Sequence, residues 1–332
     1  MTISVALIGG DGIGPEVVRA TREVLEVIAP TLTYHEISAG YEFFRKTGET
    51  ISTADLSRCR EMSAILYGAN TNPPDDPHYK SLTLTLRKEL GLFANVRPAK
   101  SLPRISPFTG VDLVIVRENS EGLYIKDEEE IEGGAIARRL VTEKASERIV
   151  RYGCELAQKL GKSRVTLVHK ANVLKMTCGL FRKVGFRVAQ DFPNLTVDER
   201  FVDAMAMELV IRPQEFQIIV TTNLFGDILS DEASGLVGGL GVAPGANIGD
   251  GTAVFEPVHG SAPDIAGQGV ANPLATILSA KLMLEHLGFS PEAEHLDRTV
   301  HRALDRGFGT TDIGGKQSTR EFTASLIELL KG

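Results

Sequence analysis

The feature that most constrains this chain is a short apolar run, Ile218-Ile219-Val220, that passes almost at once into Asn223-Leu224-Phe225-Gly226-Asp227-Ile228-Leu229-Ser230-Asp231-Glu232. The run reads as a buried strand, and Ile228, Leu229 and Leu236 then suit a helix. On a helix Asp227 and Asp231 stand four residues apart on one face, near an N-terminus whose unpaired N–H groups and dipole favour negative charge. Adjacent carboxylates repel unless a cation sits between them, and an all-oxygen pair without His or Cys suits a hard ion such as Mg²⁺ or Mn²⁺. Spacing alone favours a solvated helix start, where Asp is common. The neighbouring segments decide between the two.

Other apolar runs also end in polar residues. Val5 to Ile8 reads as a strand, Gly9-Gly10-Asp11-Gly12-Ile13-Gly14 as a tight turn and Pro15 as the first-turn proline of a helix; no Gly in the run satisfies G-x-G-x-x-G. Ala64 to Tyr67 ends in the polar, Pro-rich loop Gly68 to Pro74. Leu113 to Val116 leads into Arg117-Glu118-Asn119-Ser120-Glu121-Gly122-Leu123-Tyr124, and Val165 to Val168 delivers His169-Lys170-Ala171-Asn172. Arg87, Arg97 and Arg117 sit at the edges of elements, where their guanidinium forks can clamp carboxylates. A Lys such as Lys170, usually a solvated cation, gives up its proton more readily beside a metal and arginines and can act as a base. Asp203 is a third candidate ligand, Met205 and Met207 read as packing residues, and Asp127 to Glu130 reads as a solvated loop. The segment Glu256 to Gly267 holds Gly, Pro, His and Asp but almost no packing residues, which is expensive unless it wraps a ligand.

Composition narrows the partners. The 332 residues, 42% of them hydrophobic, can build one large domain or two. A net charge of -7 without a dense basic run gives no footprint for nucleic acid. The apolar run at Val5 is too short for a signal or spanning segment, so no membrane role is indicated. Cys59, Cys154 and Cys178 show no Cys-x-x-Cys spacing, so reduced thiols in a cytoplasmic protein are expected.

Taken in order, Gly10-Asp11-Gly12-Ile13-Gly14-Pro15-Glu16, Asn95-Val96-Arg97-Pro98, His169-Lys170-Ala171-Asn172, Gly226-Asp227-Ile228-Leu229-Ser230-Asp231 and Glu256-Pro257-Val258-His259-Gly260-Ser261-Ala262-Pro263-Asp264 give the chain its kinship. Over nearly its whole length it resembles the β-decarboxylating dehydrogenases, the family of isocitrate, 3-isopropylmalate and homoisocitrate dehydrogenases. The resemblance implies an α/β fold of the isopropylmalate/isocitrate dehydrogenase type, not a Rossmann fold, in which two α/β domains share a long mixed sheet. Residues 1–99 and 252–332 would form a discontinuous first domain with both termini and the NAD-binding loop. Residues 100–251 would form a second, with the metal site and dimer interface.

The resemblance further implies a homodimer, or a tetramer built from it, whose active site is shared between subunits. Arg87, Arg97 and Arg117 would bind substrate carboxylates, with Ser81, Tyr124, Lys170 and Asn172 also at the substrate. Asp227 and Asp231, with Asp203 from the neighbouring subunit, would hold Mg²⁺ or Mn²⁺. Lys170, also from the neighbour, would be the base for the substrate hydroxyl, and Tyr124 the acid that protonates the enol carbon after CO₂ leaves. Asn72, Asn172, Glu256, His259, Gly260, Ser261, Ala262, Asp264, Ile265 and Asn272 would hold the cofactor. Asp264 would accept from the ribose hydroxyls and repel a 2′-phosphate, so NAD is expected rather than NADP.

The segment Lys80 to Arg87 is expected to face the variable group of the substrate. Isopropylmalate enzymes carry Leu at the positions of Thr83 and Leu84, whereas Lys80, Ser81 and Thr83 here are polar and suit a small anionic tricarboxylate. Ser81-Leu82-Thr83 with Arg87 resembles the isocitrate pattern, and Val202 to Met207 the isopropylmalate branch. Gly91 to Ser101, Glu118 to Tyr124 and Thr311 to Gly315 resemble homoisocitrate dehydrogenase. The expectation is NAD-dependent conversion of homoisocitrate to 2-oxoadipate and CO₂, in lysine synthesis through α-aminoadipate. Isocitrate would be a secondary substrate, because one methylene is worth only about 1 to 3 kcal/mol of discrimination. An isocitrate or 3-isopropylmalate dehydrogenase is the alternative, and a non-catalytic regulatory subunit a remoter one, since such chains lose catalytic groups that are all present here.

Overall fold

The structure is a computed structural model that describes residues 3–73, 76 and 78–332; Pro74 of the polar loop lies outside them. The chain divides into two compact units. One comprises residues 1–91, 101–109 and 237–332, the other residues 92–100 and 110–236. The ten strands of the mixed sheet fall five to each.

In the first unit the strands follow the spatial order Leu32–Ile37, Ile3–Gly10, Ala64–Ala69, Ala253–Pro257 and Pro244–Ile248. All pairs are parallel except the last. The apolar runs at Val5 and Ala64 are the buried middle of this set, as their lack of polar alternation requires. Gly14–Ile28 starts with Pro15 in its first turn and buries Val17, Val18, Thr21, Val24 and Leu25. The Gly-rich stretch before Gly249 contains a strand, Pro244–Ile248, that its composition hides.

In the second unit the order is Ala94–Lys100, Asp112–Glu118, Ile218–Thr221, Arg164–His169 and Thr196–Phe201. The first pair is antiparallel and the rest parallel. Three parallel neighbours therefore end on one side, delivering Arg117 and Glu118, Asn223, and His169 with Lys170 at the carboxyl edge where α/β sheets place ligands.

Two local expectations change. Asp127 to Glu130 is not a loop: Glu128–Ile131 pairs with Gly134–Ala137 in a hairpin exposed along both strands. Met205 is buried as expected, but Met207 is exposed. The three cysteines are free and buried. Among the described residues no helix is long and apolar enough to cross a membrane.

Candidate active site

The strand Asp112–Glu118 brings Arg117 inside until its side chain is only 1% exposed. A buried guanidinium must have its donors met. Asn223 Oδ1 accepts from Nε at 3.1 Å and from Nη2 at 2.7 Å, and Asp227 accepts from Nη1. The Tyr124 ring lies 5.0 Å from the guanidinium carbon, and its hydroxyl donates to the other oxygen of Asp227. Burial, followed by that bond, pushes the Tyr124 hydroxyl above its ordinary pKa, so the phenol keeps its proton. Gly226 makes the approach possible: a Cβ there would lie 2.6 Å from the Arg117 side chain.

Arg97 repeats the pattern. It lies in the middle of Ala94–Lys100, not at an element's edge, and reaches Asn95 at 2.8 Å, Ser230 at 3.1 Å and Asp231 at 2.9 Å. Each carboxylate of the pair is thus held by one arginine. The side chains of Asp227 and Asp231 are 35% and 55% exposed, so oxygen remains open to solvent on both.

The helix spans Asn223–Val237, so neither carboxylate is in its first turn. This corrects the expectation that its N-terminus favours their charge, because the dipole fades within one turn; the arginines do that work. Asn223, Ser230, Asn95 and Gly226 are site residues to which sequence reasoning assigned no role. The available signal was a polar Asn two residues after a buried strand, with a Gly one turn into the helix.

Lys170 and Asp203 meet each other: the Lys170 ammonium donates to Asp203, which holds that carboxyl below the usual range. Asn172 is exposed on the turn that follows. Among the described residues of this one chain, no group of three or more His, Cys, Asp or Glu forms a metal cluster. Two hard oxygen donors on one helix face fit Mg²⁺ or Mn²⁺ as a partial set that needs oxygen from elsewhere.

In the first unit, Arg87 lies in the last turn of the helix Leu82–Glu89 and bonds Asn247 at 3.2 Å, with Glu256 at 3.7 Å. Glu256, expected at the cofactor, is buried and accepts from Asn247 at 2.7 Å. Ser81 makes no side-chain capping bond. The Thr83 hydroxyl donates to Asn70 at 2.8 Å, beside the Tyr67 hydroxyl at 2.6 Å. In this arrangement Thr83 can accept a hydrogen bond but cannot donate one to an anion.

The remaining expected cofactor residues divide by environment. Asn72, Gly260 and Asp264 are exposed, and Ser261 is buried. Ala262 and Ile265 do pack, against Ile13, Val17 and Ala271, so the loop is less bare than its composition suggested. His259 Nδ1 bonds Gly260 O at 2.9 Å, and among the described residues its buried Nε2 finds no partner. Burial also lowers its pKa, which leaves that nitrogen a lone-pair acceptor. A buried polar atom left open inside a polar loop fits a ligand carrying donors, as a dinucleotide does. Asn272 bonds Asp312 at 2.9 Å and Leu274 N at 3.0 Å, so its side chain serves the fold.

Comparison with known proteins gives the context. The sequence profile of the isocitrate/isopropylmalate dehydrogenase family matches residues 4–327. The chain is 49% identical over 332 residues to an isocitrate/homoisocitrate dehydrogenase of Thermus thermophilus, covering 100% of this chain and 99% of that one. It is 46% identical over 331 residues to a 3-isopropylmalate dehydrogenase of Methanothermobacter thermautotrophicus, covering 99% of each. The crystal structure of isocitrate dehydrogenase from Methylococcus capsulatus superposes with a TM-score of 0.95 at 42% identity, covering 99% of this chain and 100% of that one. The fold is therefore the α/β fold of the isocitrate dehydrogenase type. Proteins of this family act on hydroxyacids, typically as dimers, and typically use NAD(P) with a divalent metal. With profile, relatives and fold in agreement over the whole chain, the protein belongs to the isocitrate/isopropylmalate dehydrogenase family and is an oxidative decarboxylating dehydrogenase.

Proposed function

We propose that this enzyme oxidises and decarboxylates homoisocitrate to 2-oxoadipate with NAD, in lysine synthesis through α-aminoadipate, and accepts isocitrate as a second substrate. The observation that carries the reading is the exchange built into the site: Arg117 with Asp227 and Arg97 with Asp231 neutralise one another in the free chain. A polycarboxylate substrate offers the arginines better partners, which releases the aspartates for a cation. Substrate and metal then favour each other's binding without leaving a buried charge unpaired.

The residue roles follow. Arg97 and Arg117, with Arg87, orient the substrate carboxylates. Tyr124, kept protonated by its surroundings, is suited to deliver a proton to carbon once CO₂ has left. Lys170 of the neighbouring subunit takes the substrate hydroxyl proton, and Asp203 of that subunit completes the oxygen set of Asp227 and Asp231. When bound, Mg²⁺ or Mn²⁺ supplies Lewis acidity at the substrate oxygen, and NAD accepts the hydride. In this reading the first unit holds NAD through the loop around His259 to Ile265, where the carboxylate of Asp264 disfavours the 2′-phosphate of NADP.

The tricarboxylate reading is supported by Ser81, whose hydroxyl makes no capping bond, and by Lys80. A homodimer is supported by exposed apolar side chains on two helices of the second unit, Met207, Val210 and Ile211 on Val202–Ile211 and Ile228 on Asn223–Val237. The exposed hairpin with Ile131 and Ile136 supports it too, since an isolated two-stranded hairpin is marginal in water. The free, buried cysteines suit a cytoplasmic enzyme.

Assays of the purified enzyme with homoisocitrate and NAD, before and after EDTA, test the site. Activity should vanish with EDTA and return with Mg²⁺ or Mn²⁺. Undiminished turnover in EDTA would remove the cation from Asp227 and Asp231.

A further inference from the structure

Asp11 is 3% exposed, yet its carboxylate stands where three segments meet. Oδ2 accepts from the main-chain N–H groups of Tyr41 and Thr71, and Oδ1 from that of Glu42, all at 2.9 Å. The surrounding turn is stitched down as well: Asp11 N donates to Ala69 O at 2.8 Å, and Ile13 N to Ser261 O at 2.9 Å. The Thr71 and Ser261 hydroxyls share a further bond of 2.8 Å.

The approach is as close as backbone allows. A Cβ on Gly10 would lie 1.8 Å from Ala69 O, and one on Gly12 2.0 Å from Ser261 O. Beside Ser261, Ala262 is held at φ 38°, a conformation that costs a non-Gly residue free energy and persists only where its surroundings impose it. Turn, loop 68–73 and loop 258–266 are thereby one hydrogen-bonded assembly within the first unit.

We propose that Asp11 is a positioning residue for the dinucleotide: it fixes the backbone at Thr71 and Asn72 and, through the Thr71 hydroxyl, ties that loop to Ser261. The inference rests on the reading of Asn72 and the 258–266 loop as the NAD site. A carboxylate is needed because three N–H donors converge on it. It offers about four lone-pair positions, whereas an Asn would turn its own NH₂ toward one of those donors. Loops ordered before the cofactor arrives spare binding the cost of ordering them.

The test is Asp11→Asn, with the NAD Kd measured by calorimetry without substrate and initial rates measured alongside. The Kd and KM for NAD should rise about tenfold, the scale of one lost hydrogen bond to a charged group. At saturating NAD, kcat and the hydroxyacid KM should stay within about twofold. Thr71→Val should shift NAD affinity in the same direction by less, and Thr71→Ser should restore it. A lowered Tm with unchanged NAD affinity in Asp11→Asn would make the role merely structural and overturn the proposal. Should that variant fail to fold, equal NAD affinity in Thr71→Val and Thr71→Ser would overturn it instead. If the unaltered enzyme binds NADP and not NAD, the cofactor reading fails, and the same comparison made with NADP decides the role of Asp11 separately.

Discussion

At the scale of single residues, the site depends on how near Arg117 comes to the helix that carries the carboxylates. Gly226 sits inside that helix, where Ala would ordinarily gain about 1 kcal/mol of helix propensity. Here an added methyl meets the Arg117 stem at 2.6 Å, and overpacking costs about 1–3 kcal/mol, so the clash decides the sign. Gly226→Ala should lower the thermal midpoint and raise the substrate KM, because the guanidinium can no longer hold Asn223 and Asp227 together. A more stable variant with unchanged KM would show that the stem yields freely. Arg117 and the Asp pair were legible in the sequence as charges beside a strand end. Asn223 was not, because its role is to satisfy a buried fork that only the fold reveals.

At the scale of elements, the strand Arg164–His169 presents Lys170 through a histidine that burial holds neutral. Ala171 N donates to His169 Nδ1 at 3.2 Å, which makes Nδ1 the acceptor and leaves the proton on Nε2, 3.0 Å from Glu199. Burial lowers the His169 pKa and outweighs the opposing bond to Glu199. The unfolded chain therefore binds the proton first, so the stability from this group is present above the ordinary value of 6.5 and is lost as pH falls through the lower folded value. His169→Gln should flatten the fall in Tm as pH drops below about 6.5, the ordinary His pKa. A variant whose Tm falls as steeply as that of the unaltered enzyme would exclude His169 as the cause. Periodicity found this strand, as it found those at Val5, Ala64 and Leu113, because each has a run of mainly apolar residues at its centre. It missed Pro244–Ile248 and left Ala94–Lys100 unread as a strand, because Gly, Pro, Asn and Arg interrupt the pattern at positions the site requires.

At the scale of the whole molecule, the proposed sharing of the site makes activity a property of the dimer. Lys170→Ala and Asp227→Asn should each abolish turnover alone, yet each spoils a different half of every shared site. Dissociating and reassociating an equal mixture should restore about a quarter of full activity, since half of the dimers are hybrids and each hybrid has one intact site. No recovery in demonstrably mixed dimers would place both residues in the same site of one chain. Motif order showed the family over the full length, but the substrate was not legible at that level, because homoisocitrate and isocitrate differ by a methylene. Thr83, counted from sequence as a donor for the third carboxylate, gives its proton to Asn70 instead. The polar case then rests on Ser81 and Lys80. The most direct measurement is kcat/KM for homoisocitrate, isocitrate and 3-isopropylmalate, each with NAD at one metal concentration. Homoisocitrate should come first, isocitrate within about two orders of magnitude and 3-isopropylmalate last, as one methylene against a lost charged partner requires; 3-isopropylmalate in first place would contradict a tricarboxylate site.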